Sequence, residues 1–519
     1  MGRTRKVIKN IGASAIGNLA SLVFKFINRL LLVYILGKEY LGIGSLFASI
    51  FAVLDLAELG IGDAIVYALY DPLAKKDTEK IKSLIALYKK YYRIIGVFVA
   101  VAGLLLFPFI EEITGSKSGI VNLQLLYLLQ LFQAVIGYFC FSYKYAIIGA
   151  DQKGYITTGL DTVISAGILV CQGAVLFFTG SYTCYMVSGV ILQIGKNFLL
   201  SRKAEELYPY LKDKETAPLP EEERSKIKNN VKGLAMYKIS SKVLSSTDTI
   251  IISIILGVGM VGVYDNYNYL WMLAVGTGMM LFNTYTPVIG NVYATESKEK
   301  LETLFRILSF GNFWVYGLVS GILLLCGNQV IEQIFGADYV LPDIILWLIV
   351  LNLVTSGLQN TVIVYKDACG LYYAGRYRPL ISALLNLFLS ILFGYAIGLA
   401  GIILATIISR ILTTWWFDAW LLHRRIFEKS PAGYYRRYLT YFAVSMTVNA
   451  GTCYLAECII TAEGIPGILL RAVLGMIVIN IAYLLCYSHS PEFHAVMGKA
   501  KTILKKIVNK VKGKRLQKR

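Results

Sequence analysis

The residues whose type and spacing permit chemistry in this chain are ionisable side chains set inside long apolar stretches. Lys25 and Arg29 lie four apart, and Asp55 and Glu58 three apart, so in a helix each pair shares one face. Lys238, Lys242 and Asp248 fall in a further apolar stretch, and Asp161, Arg410, Asp418, Glu457 and Arg471 in others. A charge within a bilayer is costly, so each of these is a candidate ligand contact, ion site or interhelical pair. A guanidinium offers a planar fork to phosphate oxygens, and a desolvated carboxylate can take up and release a proton during a cycle. Two readings stand for Lys25, Arg29, Asp55 and Glu58: they pair with one another and hold helices together, or they serve a bound ligand.

Other chemistry finds no support. No nucleophile–base–acid set and no Walker motif is present, so neither an enzyme nor ATP-driven transport by this chain alone is expected. The eight cysteines lie in or beside apolar segments without a CxxC pair, and His423, His489 and His494 form no ligand pattern; no metal site is expected.

The elements that must position these groups are membrane helices. Of 519 residues, 56% are hydrophobic and only 16% charged, with a mean hydropathy of +0.60. A soluble protein of this length needs a more polar surface. Spans are expected at 10–36, 41–69, 92–113, 120–148, 155–178, 181–200, 234–256, 261–292, 304–326, 342–365, 378–397, 400–422, 437–460 and 465–487. The stretches 155–200 and 378–422 are each split in two at small-residue breaks, Thr179-Gly180-Ser181 and Gly398-Leu399-Ala400-Gly401. The basic N-terminus followed by an apolar run imitates a signal peptide, but that run continues to Leu36 without a cleavage site and reads as a retained first helix.

The net charge of +19 sits in alternate loops, which places both termini on the cytoplasmic side and argues against nucleic acid as a partner. A register offset of 220 residues relates Ile35-Leu36-Gly37 to Ile255-Leu256-Gly257 and Gly42 to Gly262. Six helices separate the copies, which makes a parallel repeat. The expected organisation is an all-α polytopic protein: an N-lobe over 1–200, a cytoplasmic linker at 201–233, a C-lobe over 234–422, two further helices within 423–488, and a basic amphipathic tail at 489–519. That tail suits either an anionic lipid surface or plain solvation.

The stretch Arg29-Leu30-Leu31-Leu32-Val33-Tyr34-Ile35-Leu36-Gly37-Lys38-Glu39-Tyr40-Leu41-Gly42, the later Leu59-Gly60-Ile61-Gly62-Asp63-Ala64-Ile65-Val66-Tyr67, and Tyr285-Thr286-Pro287-Val288-Ile289-Gly290 resemble the polysaccharide-transporter (O-antigen flippase, Wzx-like) family of the multidrug/oligosaccharidyl-lipid/polysaccharide (MOP) exporter superfamily. The resemblance is most specific over 29–93. It implies a V-shaped pair of six-helix bundles in a bacterial cytoplasmic membrane, moving polyprenyl-pyrophosphate-linked oligosaccharide from the inner to the outer leaflet by alternating access.

The implied partners are the lipid-linked oligosaccharide, membrane lipid and other polysaccharide-assembly proteins. No cofactor is expected; the drive would be a proton or sodium gradient or the membrane potential. On this reading Lys25, Arg29, Lys242 and Arg410 form a cationic substrate-binding set, while Asp55, Glu58, Asp161 and Asp248 couple an ion or pair charges. The alternatives are a multidrug or cation antiporter of the same superfamily, a peptidoglycan-precursor flippase and, further off, a membrane polysaccharide polymerase. Among the 36 tyrosines, Tyr264, Tyr267 and Tyr269 with Trp271 suit either an interfacial belt or stacking on sugar rings.

Overall fold

The computed structural model describes residues 23–24, 26–58, 61–115, 120–140, 142–151, 153–213, 218–371, 375 and 377–498; side chains at 57, 63, 142, 145, 155, 226, 229–230 and 232–245 also lie outside the description. Lys25, Lys238, Lys242 and the tail beyond 498 are therefore not placed. The described chain is helical throughout, with no strand among the described residues. Among the described residues, six helices are long and apolar enough to cross a membrane, including Ile156–Thr179, Asp343–Ala368 and Gly464–Tyr487. This is a polytopic all-α membrane protein. In hydrocarbon a spanning backbone must satisfy its own hydrogen bonds, which leaves the helix as the local solution for such segments.

The chain divides into two compact units, Met1–Val263 and Tyr264–Arg519. The first contains α1 (Phe26–Leu36), α2 (Lys38–Leu54), α3 (Ile61–Lys75), α4 (Thr78–Leu106), α5 (Leu123–Phe139), α6 (Gly154–Thr179), α7 (Tyr182–Leu207) and α8 (Glu221–Leu256). Two apolar clusters hold it. Ile43, Leu46, Phe47, Leu126 and Tyr127 form one, and Ile65, Leu69, Ile81, Val99 and Ile147 the other.

The basic segment before residue 92, expected as a loop, is instead the start of α4: the Asp77 side chain accepts from the Lys80 amide at 3.0 Å and caps the helix. The expected linker is likewise docked. Its Tyr208 and Leu211 enter the second cluster, and Lys82 meets Asp213 at 3.5 Å. Burial pushes the Tyr208 phenol above its usual range, with the Asp151 carboxylate accepting its proton at 2.8 Å as a further cause.

The 220-residue repeat has a physical realisation. Gly37 and Gly257 precede equivalent helices, α2 and α9 (Val258–Asn283), and both hold positive φ, 91° and 85°. Five residues on, the helices touch at glycine. A Cβ on Gly42 would lie 2.0 Å from the Val258 carbonyl oxygen, and one on Gly262 would lie 2.1 Å from that of Lys38. The contact is reciprocal: each glycine meets the start of the helix that carries its repeat partner.

The second unit centres on α11 (Lys298–Phe335), which α10 (Thr286–Thr295) precedes. Around α11 pack α12 (Asp343–Ala368), α15 (Ala432–Ile459) and α16 (Gly464–Tyr487). The last two seat closely on α11. Gly317 and Gly321 of α11 admit the Tyr483 hydroxyl and the Asn449 side chain into close approach, and Gly475 admits Leu325. Helix α13 (Arg378–Arg410) contains the break expected at 398: Ile397 and Gly398 leave the helical region, with φ of 62° at the glycine. A π turn, Ile411–Trp415, leads from it into α14 (Trp416–Leu422).

Replacing Gly42 or Gly262 by alanine forces a methyl group into a backbone carbonyl and is expected to destabilise the fold by about 1–3 kcal/mol. Gly167→Ala is the control, since its Cβ meets nothing within 4 Å. Thermal unfolding in detergent should show a lower Tm for both close-contact variants and none for the control; three equal curves would remove the glycine contact as a constraint.

Candidate functional site

Of the candidate residues, Asp55 and Glu58 are joined through shared phenols, Asp161 pairs with Lys196, and Arg410 is held on Asn352. In the first unit the expected single helix over 41–69 is interrupted. Asp55–Glu58 form a 3₁₀ turn between α2 and α3, so both carboxylates stand where the regular helix stops. Such breaks in membrane helices free backbone groups and recur at ion and substrate sites.

Three phenols serve the acid pair. Tyr138 on α5 donates to Asp55 Oδ1 at 2.6 Å and approaches Glu58 Oε2 at 3.3 Å. Tyr92 on α4 donates to Glu58 Oε1 at 2.5 Å, and Tyr88 donates to Tyr92 at 2.9 Å. The rings of Tyr92 and Tyr138 stand edge to face with centroids 5.5 Å apart. The chain Tyr88–Tyr92–Glu58 is a continuous hydrogen-bond path.

Arg29 on α1 is 8% exposed and lies one turn from the buried Leu32. Asn28 beside it exchanges hydrogen bonds of 2.6 and 2.8 Å with Tyr185 on α7. Asp161 is placed differently from a lone buried acid: its carboxylate, half-exposed, pairs with Lys196 at 2.5 Å across α6 and α7. Asp248 lies half-buried on α8.

In the second unit, Arg410 at the end of α13 donates from one nitrogen to Asn352 Oδ1 at 2.6 Å and to the Asn352 carbonyl at 3.3 Å, with Thr355 Oγ1 also 3.3 Å away. Tyr438 closes the same locus by donating to the Thr355 carbonyl at 3.0 Å. The π turn begins directly after Arg410, where it widens the helix and presents this side chain toward α12.

Sequence reasoning named Asp418 nearby but not the charge cluster it anchors. Lys366 meets Asp418 Oδ1 at 2.7 Å, and Arg378 Nε meets the same oxygen at 3.2 Å; Asp418 is 1% exposed. This carboxylate thereby ties α12, α13 and α14. A second missed set is the polar contact within α13, where Asn386 donates to Thr406 Oγ1 at 3.1 Å across the break. Apolar surroundings hide such partners from a linear reading, because residues 52 positions apart signal nothing about each other. Among the described residues, no group of three metal-ligating side chains occurs.

No protein-family model and no curated protein sequence matches this chain. Solved structures do. The fold is similar to that of a lipid II flippase, MurJ, in an inward closed conformation, at 15% identity and TM-score 0.67, covering 91% of this chain and 98% of that one. It is similar to an inward-facing multidrug resistance MATE family transporter of the MOP superfamily (16% identity, TM-score 0.60, 75% of this chain and 91% of that one). A Vibrio cholerae MATE transporter aligns at 14% identity and TM-score 0.56, over 82% of this chain and 98% of its own. The chain thus has the fold of MOP-superfamily transporters, and the proteins it resembles are transporters.

Tyr138→Phe removes the donor shared by Asp55 and Glu58. A hydrogen bond to a charged group contributes about 1.5–3 kcal/mol, so this variant should unfold at lower temperature than wild type. In combination with Asp55→Asn the losses should be clearly less than additive; strict additivity would break the proposed coupling. Asp418→Asn should cost more, about 3–5 kcal/mol, because it strands two cations at a buried site. The surface pair Lys75–Asp71, at 2.9 Å, supplies the contrast: Asp71→Asn should change little.

Proposed function

We propose that this chain is a flippase that carries polyprenyl-pyrophosphate-linked oligosaccharide units from the inner to the outer leaflet of a bacterial cytoplasmic membrane, by alternating access, for export of a surface polysaccharide. The observation that carries the reading is extent of fold. The likeness to the lipid II flippase runs over 91% of the chain, whereas the two MATE alignments reach 75% and 82%. A lipid-linked cargo with a diphosphate is therefore the better analogue. The sequence resemblance over 29–93 favours a polysaccharide unit over a peptidoglycan precursor as the sugar part, although lipid II is itself the cargo named for that neighbour.

The cationic set Lys25, Arg29, Lys242 and Arg410 is proposed to meet the diphosphate. Arg29 suits it by burial, and Arg410 by a side chain held rigidly on Asn352. Rigid donors aimed before the ligand arrives lose little entropy on binding. The acid pair Asp55–Glu58 with its phenols is proposed to bind the coupling proton or sodium ion, and Asp161 and Asp248 to pair or couple charge elsewhere. Moving one charge through the full membrane potential is worth about 2.3 kcal/mol per 100 mV, which sets the scale of the drive. On the alternation of basic loops, both termini are cytoplasmic.

One observation favours a second reading. The described acid node, with two carboxylates and three phenols, is a setting suited to a cationic cargo, as in a multidrug or cation antiporter.

The gene's deletion strain, complemented with wild type, Lys25→Ala, Arg29→Ala, Lys242→Ala or Arg410→Ala, distinguishes the two. A flippase predicts lipid-linked oligosaccharide accumulating on the cytoplasmic side in the deletion, cleared by wild type and cleared at least tenfold more slowly by the well-expressed variants. Unchanged lipid-linked oligosaccharide, with raised sensitivity to cationic drugs, would replace the flippase with the antiporter.

A further inference from the structure

The second unit holds a cavity that none of these roles uses. It lies at the end of the unit opposite the basic loops, where α11 and α15 finish and α12 and α16 begin, and it is an open cleft of about 170 Å³. Asn328, Gln329, Asp343, Trp347, Glu457 and Arg471 supply its polar and aromatic lining. The wall carries charges of both signs, yet they do not close on each other. Arg471 makes one hydrogen bond among the described residues, a long 3.5 Å to the Ile460 carbonyl, and forms no ion pair there with Asp343 or Glu457. Among the described residues Glu457 has no ion pair either; the Cys453 thiol lies 3.9 Å from its Oε1.

Two features fix the cavity's shape. Asn328 donates to Asp343 Oδ1 at 2.7 Å while its own Oδ1 accepts from Tyr267 at 2.6 Å, so the Asp343 wall is braced from behind. Gln329 Oε1 is shielded from solvent and has no hydrogen-bond partner among the described residues. Charges of both signs that line one small space without pairing suit a ligand that itself carries both signs.

The surroundings indicate where that ligand comes from. Ile344, Ile459 and Leu469 flank the cavity's helix ends with 61%, 64% and 61% of their surface exposed, as residues facing acyl chains would be. Trp347 on the wall fits the water–lipid boundary.

We propose that this cavity binds the zwitterionic ethanolamine-phosphate head group of an outer-leaflet phospholipid. The outer leaflet follows from the topology given under the proposed function; the ligand chemistry does not depend on it. Arg471 takes the phosphate through its planar fork. Asp343 and Glu457 take the ammonium. A net-anionic lipid would face two carboxylates with one cation, and a trimethylated ammonium has no proton to give the acids. Both should be discriminated against.

Native mass spectrometry of the full-length protein in detergent, with phosphatidylethanolamine, phosphatidylglycerol and phosphatidylcholine added at equal concentration, tests this. Wild type is expected to retain phosphatidylethanolamine at least fivefold over either competitor. Glu457→Gln and Arg471→Ala should each erase that preference, and Arg471→Lys should recover part of it; if Arg471→Ala is not monodisperse, the other two carry the test. Soluble glycerophosphoethanolamine in excess should displace the lipid, which separates recognition of the head group from recognition of acyl chains. Equal retention of the three lipids by wild type, an undiminished preference in the variants, or lipid that resists the soluble competitor would each overturn the assignment. Cargo flipping does not enter this readout, so its result is independent of whether the chain proves to be a flippase or an antiporter.

Discussion

The cost of placing charge away from water governs this structure. A buried charge persists only where partners replace its hydration, and the described buried charges are built that way. Asp418, almost fully enclosed, draws two cations to one oxygen; Arg410 is spread over a carbonyl and two side chains; Asp55 and Glu58 are met by phenols. Each solution joins helices that are distant in sequence. Charge satisfaction therefore does two things at once: it fixes the packing of the bundle, and it leaves prepared polar loci inside it. The π turn after Arg410 and the 3₁₀ turn at Asp55 mark where regular helix gives way to one of these loci.

A second constraint is close packing without a hydrophobic drive between helices in lipid. Glycine meets it. Gly42 and Gly262 let α2 and α9 approach at the level of the backbone, and Gly317 and Gly321 let α15 and α16 seat on α11. The reciprocal contact at the two repeat-related glycines gives the 220-residue register a cause. Both copies need a left-handed glycine before the helix and a bare backbone five residues later.

Much of the fold was legible in the sequence, because apolar length and glycine punctuation are local signals. The breaks at 180 and 398 are where small residues placed them, each with a positive φ. Basic stretches expected as loops, at 78–91 and from 221, proved helical, since lysine and glutamate favour helix and only their charge had argued otherwise. The site was legible in part. The sequence pointed to Arg29, Asp55, Glu58 and Arg410 because ionisable residues are conspicuous in apolar runs. It showed neither that helix 2 breaks at the acid pair nor that tyrosines 34 and 83 residues away would serve it. Tyrosine is common in this chain and at interfaces, so those donors carried no distinguishing mark. Lys25 and the Lys242 side chain lie outside the described residues.

The central claim is that this chain moves an anionic, lipid-linked glycan across a bilayer. The most direct measurement uses purified protein in liposomes loaded with a polyprenyl-pyrophosphate oligosaccharide, and follows with time how much glycan an added membrane-impermeant glycosidase can reach. The account predicts that the fraction cleaved rises past the initially exposed pool toward completion with wild-type protein, and stays at that pool with Arg29→Ala protein reconstituted to the same density. A wild-type time course indistinguishable from protein-free vesicles, alongside uptake of a cationic dye in the same preparation, would contradict it.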